Sequence, residues 1–143
     1  MKFTLEIEIN LPRDKVIELF DNPDNLVEWQ NGFVSYEPLE GKPGEEGSTA
    51  RLRYKMGNRD IEMTETITRK TLPEEFNGTY EAKGVFNIIR NRFIDQGTTT
   101  RWISENEFYF TGIMRFLAFF LPGAFRKQSL KYMRNFKTFA EGI

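Results

Sequence analysis

A chain of 143 residues that is 39% hydrophobic, with 20 basic against 21 acidic residues, has enough apolar matter for one core and no global field to draw in nucleic acid. It contains neither Cys nor His, which excludes disulfides, thiolate chemistry, Ser–His and Cys–His mechanisms, and zinc sites built on those ligands. Any catalysis is left to carboxylates, Lys, Tyr or a carboxylate-bound metal, and no catalytic, metal-ligand or cofactor motif stands out.

Phe3, Leu5, Ile7 and Ile9 alternate with Lys2, Thr4, Glu6 and Glu8, which predicts a half-buried strand rather than the apolar run of a signal peptide. Pro12 suits the first turn of a helix whose apolar face is Val16, Ile17, Leu19 and Phe20. Asn22-Pro23 then caps and opens a second short helix carrying Leu26, Val27 and Trp29.

From Phe33 to Phe110 the chain reads as about six strands broken at Gly41–Gly44, Gly57-Asn58, Leu72-Pro73, Lys83-Gly84 and Gln96-Gly97. Such spacing leaves no room for crossover helices, so neighbouring strands are antiparallel. Leu52 and Tyr54 alternate with Arg51, Arg53 and Lys55, and Ile61, Met63 and Ile67 alternate with Glu62, Thr64, Thr66 and Thr68. Val85–Asp95 is ambiguous, because Phe86, Ile88 and Ile94 are apolar on one parity and Val85, Ile89 and Phe93 on the other. Arg90 and Arg92 favour the second as the inward set; a slip of one residue would reverse the whole strand.

The most apolar stretch, Ile113 to Phe125, is too short to cross a bilayer and carries Arg115 and Pro122, so a cytoplasmic location is the expectation. Phe116, Leu117, Phe119, Phe120 and Leu121 are apolar nearly all round. Either the Pro122-Gly123 bend turns them into the core, or they form a lid, a dimer contact or a membrane-touching tip through Phe116, Phe119 and Phe120. Beyond the bend, helical spacing puts Phe125, Tyr132, Met133, Phe136, Phe139 and Ala140 on one face, with Arg126, Lys127, Lys131, Arg134 and Lys137 opposite. Leu130 is assigned to the polar side. The predicted architecture is α+β: a curved antiparallel sheet of about seven strands, two short helices after the first strand, and one long C-terminal helix covering the apolar face. Residues 1–143 are expected to form one domain.

This order is accompanied by Ile9-Asn10-Leu11-Pro12 leading to Val16, a short second helix ending at Trp29, and Glu40-Gly41-Lys42-Pro43-Gly44 with Gly47-Ser48. The closing helix adds Phe136-Lys137 and Phe139-Ala140-Glu141. Together these resemble the START-like superfamily, also called SRPBCC or polyketide-cyclase-like, which includes the birch-pollen allergen family. The resemblance implies a helix-grip fold, in which the sheet wraps the C-terminal helix around a cavity and the short helices close one end. Members bind lipids, sterols, polyketides, quinones or plant hormones; some are cyclases or aromatases, and one branch activates a heat-shock chaperone. Fold alone does not choose among these.

On the inward parity, Glu65, Asn87, Asn91, Ser104 and Asn106 share a face with bulky apolar side chains, and Ser129 lies within the apolar arc of the closing helix. An unpaired buried amide or hydroxyl costs roughly 1–3 kcal/mol. These residues therefore form either a mutual hydrogen-bonded network or the polar points of a ligand cavity, with Trp29, Tyr54, Met63, Tyr80, Trp102, Phe108 and Met133 as walls. Glu65 is the sharpest candidate: buried without a cation it would titrate high and anchor a ligand hydroxyl or amine, and the alternative is an ion pair with an Arg. The expected function is binding of a hydrophobic or amphipathic small molecule such as a lipid, quinone or polyketide-like compound. The alternatives are a cyclase or aromatase using Glu65, Tyr54 and Tyr80 in the same cavity, and a protein-interaction module of the chaperone co-activator type.

Overall fold

The computed structural model describes residues 1–143. Strand β1 (Lys2–Ile9) is followed by helix α1 (Arg13–Phe20) and a 3₁₀ turn (Pro23–Asn25) that runs into the single-turn helix α2 (Leu26–Trp29). Six strands come next: β2 (Phe33–Glu40), β3 (Thr49–Met56), β4 (Arg59–Thr71), β5 (Glu75–Ala82), β6 (Val85–Asp95) and β7 (Thr100–Phe110). Helices α3 (Ile113–Phe120) and α4 (Pro122–Glu141) close the chain. The strands form one seven-stranded sheet in the order β1-β7-β6-β5-β4-β3-β2. All neighbours are antiparallel, as the hairpin spacing predicts.

Side-chain parity sets which face the helices cover. On β6 and β7 the opposed pairs Phe93–Trp102, Asn91–Ser104 and Asn87–Phe108 fall on the concave face, and β1 adds Leu5 opposite Ser104 and Ile7 opposite Trp102. The ambiguous strand β6 follows its arginines: Phe93 is 1% exposed and Ile94 40%. The convex face carries ion pairs between neighbouring strands, among them Arg90–Glu107 at 2.9 Å, Arg92–Glu105 at 3.2 Å and Arg51–Glu62 at 2.6 Å. Each exposed pair contributes only about 0–1 kcal/mol. Their larger effect is on register, because a one-residue slip would drive these charges into the core.

The concave face is closed by aromatic side chains from five elements. The Phe20 ring lies 5.0–5.8 Å from those of Trp29, Phe93, Trp102 and Phe136. Phe136 in turn lies 5.3 Å from Trp29 and 5.5 Å from Trp102. Polar ties hold the end of α4: Lys137 Nζ donates to the Glu8 carbonyl at 2.7 Å, and the Asn10 amide donates to Glu141 Oε2 at 2.8 Å. Leu130 corrects its sequence assignment. It is partly buried against the core, since it lies one turn before Met133 and only about 60° from it around the helix.

Helix α3 does not turn into the core. Ile113, Phe116, Phe119, Phe120 and Leu121 are each more than half exposed, and within α3 only Ala118 is buried. Its start is fastened to the β5–β6 turn, where the Thr111 amide donates to the Gly84 carbonyl at 3.0 Å. Gly84 has φ +78°, and a Cβ there would lie 2.8 Å from Met114 Cγ, so both conformation and space call for glycine.

Phe136→Ala is expected to cost about 3–5 kcal/mol in chemical denaturation, because it leaves a cavity at the centre of the aromatic cluster. The same truncation at the exposed Phe119 is expected to stay within about 0.5 kcal/mol of wild type. Equal costs at the two positions would show that the cluster is not the stabilising core.

Candidate functional site

A cavity of about 80 Å³ opens between the α1–α2 segment and the concave side of strands β2–β5. The helical side supplies Phe20, Leu26, Trp29 and Gln30; the sheet supplies Tyr36, Leu52, Tyr54, Glu65, Ile67, Phe76 and Tyr80; Asp21, Pro23 and Gly44 complete the lining. Nine of the 14 lining residues are hydrophobic, so the polar groups are few and individually placed. None comes from α4. This corrects the expectation of a cavity between sheet and C-terminal helix: the aromatic cluster fills that seam, and the space is displaced toward the short helices.

Glu65 on β4 faces Tyr80 on β5 directly across the ladder. Tyr80 donates its hydroxyl to Glu65 Oε2 at 2.8 Å. Burial pushes the Glu65 carboxyl above the usual carboxylate range, and the hydrogen bond from Tyr80 offsets this only in part. The partner is thus a phenol and not the arginine that the ion-pair alternative requires. Burial, and then the nearby Glu65 carboxylate, raises the Tyr80 hydroxyl well above its ordinary value. Tyr54 is raised chiefly by burial and donates to Gln30 Oε1 at 2.6 Å. Tyr36 is raised by burial and by Glu65 and Asp21. Three protonated phenols and the reluctant Glu65 carboxyl therefore share a mainly apolar chamber, with Gln30 and Asp21 on its helical side.

Beside them is an ion pair that the sequence did not announce. The β4–β5 ladder shifts register between Ile67 and Arg69, and beyond the shift Lys70 pairs with Phe76 on the concave side. Lys70 Nζ lies 3.1 Å from Asp21 Oδ1 and donates to the Gly44 carbonyl at 2.6 Å, tying the end of α1 to the β2–β3 loop. No group of three or more carboxylates converges as a metal site would require.

Of the residues singled out from the sequence, Trp29, Tyr54, Glu65 and Tyr80 line the cavity. The others stand elsewhere. Trp102 and Met133 belong to the core cluster, Met63 is half-buried opposite Leu52, and Ser129 is half-buried on α4. Phe108 packs 5.9 Å from Phe110 and 5.0 Å from Phe125. The amides follow the network alternative. Trp102 Nε1 donates to Asn91 Oδ1 at 2.9 Å, and the Asn91 backbone N–H donates to Asn77 Oδ1 at 3.1 Å. Asn87 donates to the Glu107 carbonyl at 3.0 Å, and Asn106 donates to Ser104 Oγ at 3.1 Å. Asn106 Oδ1 alone is buried without a protein partner. Sequence reasoning missed Asp21, Gln30, Tyr36 and Lys70. Lys70 was hidden by the register shift, and Asp21 and Gln30 sit at helix ends where periodicity carries no facing.

The sequence matches the family described as polyketide cyclase / dehydrase and lipid transport over residues 1–141. No curated protein matches it. Among solved structures, the chain is similar to the ZhuI aromatase/cyclase from Streptomyces sp. R1128, at 13% identity over 99% of this chain and 93% of that one, with a TM-score of 0.81. Ara h 8.0201 gives 10% identity over 100% and 99% of the two chains, with a TM-score of 0.78. Norcoclaurine synthase from Thalictrum flavum, in complex with dopamine and hydroxybenzaldehyde, gives 14% identity over 99% and 87%, with a TM-score of 0.74. At such identities these likenesses establish the fold. No helix is long and apolar enough to cross a membrane.

A carboxyl whose folded value is raised above its ordinary 4.5 stabilises the protein fully below that value and loses the contribution as pH rises through the folded one. Glu65→Gln keeps an acceptor for Tyr80 and removes the charge. Its melting temperature relative to wild type is therefore expected to climb from about pH 4.5 toward neutrality. Parallel melting curves across that range would mean that the Glu65 carboxyl is well hydrated.

Proposed function

The chain belongs to the polyketide cyclase / dehydrase and lipid transport family, and on that footing we propose that it binds a small apolar or amphipathic molecule bearing a hydroxyl or amine. Its polar group meets Glu65 and Tyr80 while its body contacts Leu26, Leu52, Ile67 and Phe76. The observation that carries this reading is the carboxyl–phenol pair without a cation in a mainly hydrophobic lining. Apolar walls supply affinity at about 25 cal/mol per Å² of buried surface, and one polar pair fixes orientation.

Volume limits the ligand. A cavity of about 80 Å³ is smaller than the roughly 150 Å³ that takes up benzene, and far below the roughly 300–1,000 Å³ of drug-sized sites. The closed form holds a few waters or one end of a ligand. A lipid, quinone or polyketide requires the α1–α2 segment to part from the sheet, which breaks the Tyr54–Gln30 hydrogen bond and the Lys70–Asp21 ion pair. The likeness to a synthase that holds dopamine and hydroxybenzaldehyde makes small aromatic amines and phenols the first compounds to titrate.

A second reading is supported by the same pair. A carboxyl that stays protonated unusually high is a proton donor, and with Tyr80 it would polarise a ligand carbonyl as a cyclase or aromatase requires. The fold likeness to an aromatase/cyclase favours testing it. Product formation from a polyketide surrogate that disappears in Glu65→Gln would support turnover over simple binding.

Native mass spectrometry of gently purified protein, with organic extraction of anything bound, is expected to return a stoichiometric small molecule. Leu26→Trp fills the cavity from its helical side and is expected to weaken that ligand at least about tenfold. Glu65→Gln is expected to cost an amine ligand roughly tenfold and a ligand without polar groups almost nothing. Unchanged affinity in Leu26→Trp would rule the cavity out as the binding site.

A further inference from the structure

We propose that α3 and the first turns of α4 form a docking surface for an anionic lipid bilayer. Docking of this kind is independent of what the cavity holds. At 100° per residue, Phe119, Phe116, Phe120, Ile113, Leu117 and Leu121 follow one another around α3 over an arc of about 200°. All six are exposed, from 39% at Leu117 to 77% at Phe119. The protein-facing side is Met114, against Gly84, and the buried Ala118. Single exposed apolar residues are ordinary, whereas a contiguous set of large ones on one short helix is not. Phe119 and Phe120 pack edge to face on each other at 5.4 Å and on no core ring.

Charge identifies the occupant. Between Glu107 and Glu141 there is no acidic residue, while Arg115, Arg126, Lys127, Lys131, Arg134 and Lys137 are all basic, in a chain of net charge −1. Arg115, Arg126, Lys127, Lys131 and Arg134 are exposed and take part in none of the ion pairs, whereas six arginines of the sheet are each paired with a glutamate. Lys137 is engaged by Glu141 at the far end of α4. An apolar arc bordered by unpaired cations is the composition of a helix that lies in the interfacial plane of a membrane carrying anionic lipid. A second copy of the chain meets this surface poorly. A two-fold contact through α3 would set the same unpaired cations against themselves, with no carboxylate in the segment to relieve them. A protein groove is also a poor match, because an arc this wide buries only part of itself in any groove but all of itself in a bilayer.

Flotation with vesicles of phosphatidylcholine alone, and of phosphatidylcholine mixed with phosphatidylglycerol, tests this with the full chain. The protein is expected to float with the mixed vesicles at about 0.05 M salt, and at least about tenfold more weakly at about 0.5 M salt or on phosphatidylcholine alone. The double variants Phe119→Ser with Phe120→Ser, and Arg126→Glu with Lys127→Glu, are each expected to lose binding about tenfold or more while keeping the wild-type circular dichroism, since all four side chains are exposed. Phe119→Trp is expected to show a blue shift in emission on adding mixed vesicles. No flotation of wild type, equal binding to neutral vesicles, or variants that bind like wild type would each overturn the proposal. So would a dimer in sedimentation velocity that the Phe119 and Phe120 substitutions dissolve while vesicles bind nothing, an outcome that assigns the surface to a second copy.

Discussion

An antiparallel sheet with one apolar face needs that face covered, and in this chain α4 is the one element long enough to run across it. Everything else follows from where α4 is held. Phe136 is fixed between Trp29 and Trp102, and Phe20 reaches in from α1 to touch all three rings. This lock joins α1, α2, α4 and strands β6 and β7 around one point, and the hydrogen bonds of Lys137 and Glu141 to the end of β1 set the azimuth of the helix. Large rings fill the seam between helix and sheet around this lock, and the cavity that Glu65 lines opens away from it, beneath the short helices and over β2–β5.

That displacement decides the chemistry of the site. Along the α4 seam the inward amides are engaged by Trp102, by the Ser104 hydroxyl and by backbone groups, with Asn106 Oδ1 alone left over, which makes them part of the packing. In the displaced cavity Glu65 has only a phenol for company. A carboxyl in that setting is costly to ionise, and such a cost is tolerated where a ligand or a proton transfer makes use of it. Gly78 precedes Tyr80 on the same face, and a Cβ there would crowd the Thr66 carbonyl at 3.1 Å and touch the Tyr80 hydroxyl at 3.4 Å. The Lys70 bridge confines its strong charges to a single ion pair at the edge of the chamber, leaving the Glu65 wall free of cations.

Charge is also separated along the chain. The sheet pairs its cations and anions across neighbouring strands of its convex face, so it presents a mixed and largely neutral surface. The segment from Phe108 to Ala140 is purely basic and carries the exposed aromatic tip. The two halves of the molecule thus present different surfaces, one of mixed paired charge and the other apolar and basic.

The sequence by itself determined the order of elements, the antiparallel sheet, the concave parity of most strands and the family, because these rest on local periodicity and turn chemistry. Phe3 to Ile9 alternate, Gly and Pro fall at the breaks, and Arg90 and Arg92 exclude one parity of β6. It also marked Trp29, Tyr54, Glu65 and Tyr80, since an inward carboxylate and bulky rings on neighbouring strands are visible in parity alone. Only the tertiary structure decided that the cavity avoids α4, that Asn87, Asn91 and Ser104 satisfy themselves, and that Phe116, Phe119 and Phe120 stay exposed. The physical reason is that these outcomes depend on which rings meet across the sheet, and on a register shift at Ile67–Arg69 that brings Lys70 inward. Packing across distant elements and a one-residue change of phase leave no trace in the spacing of any single segment.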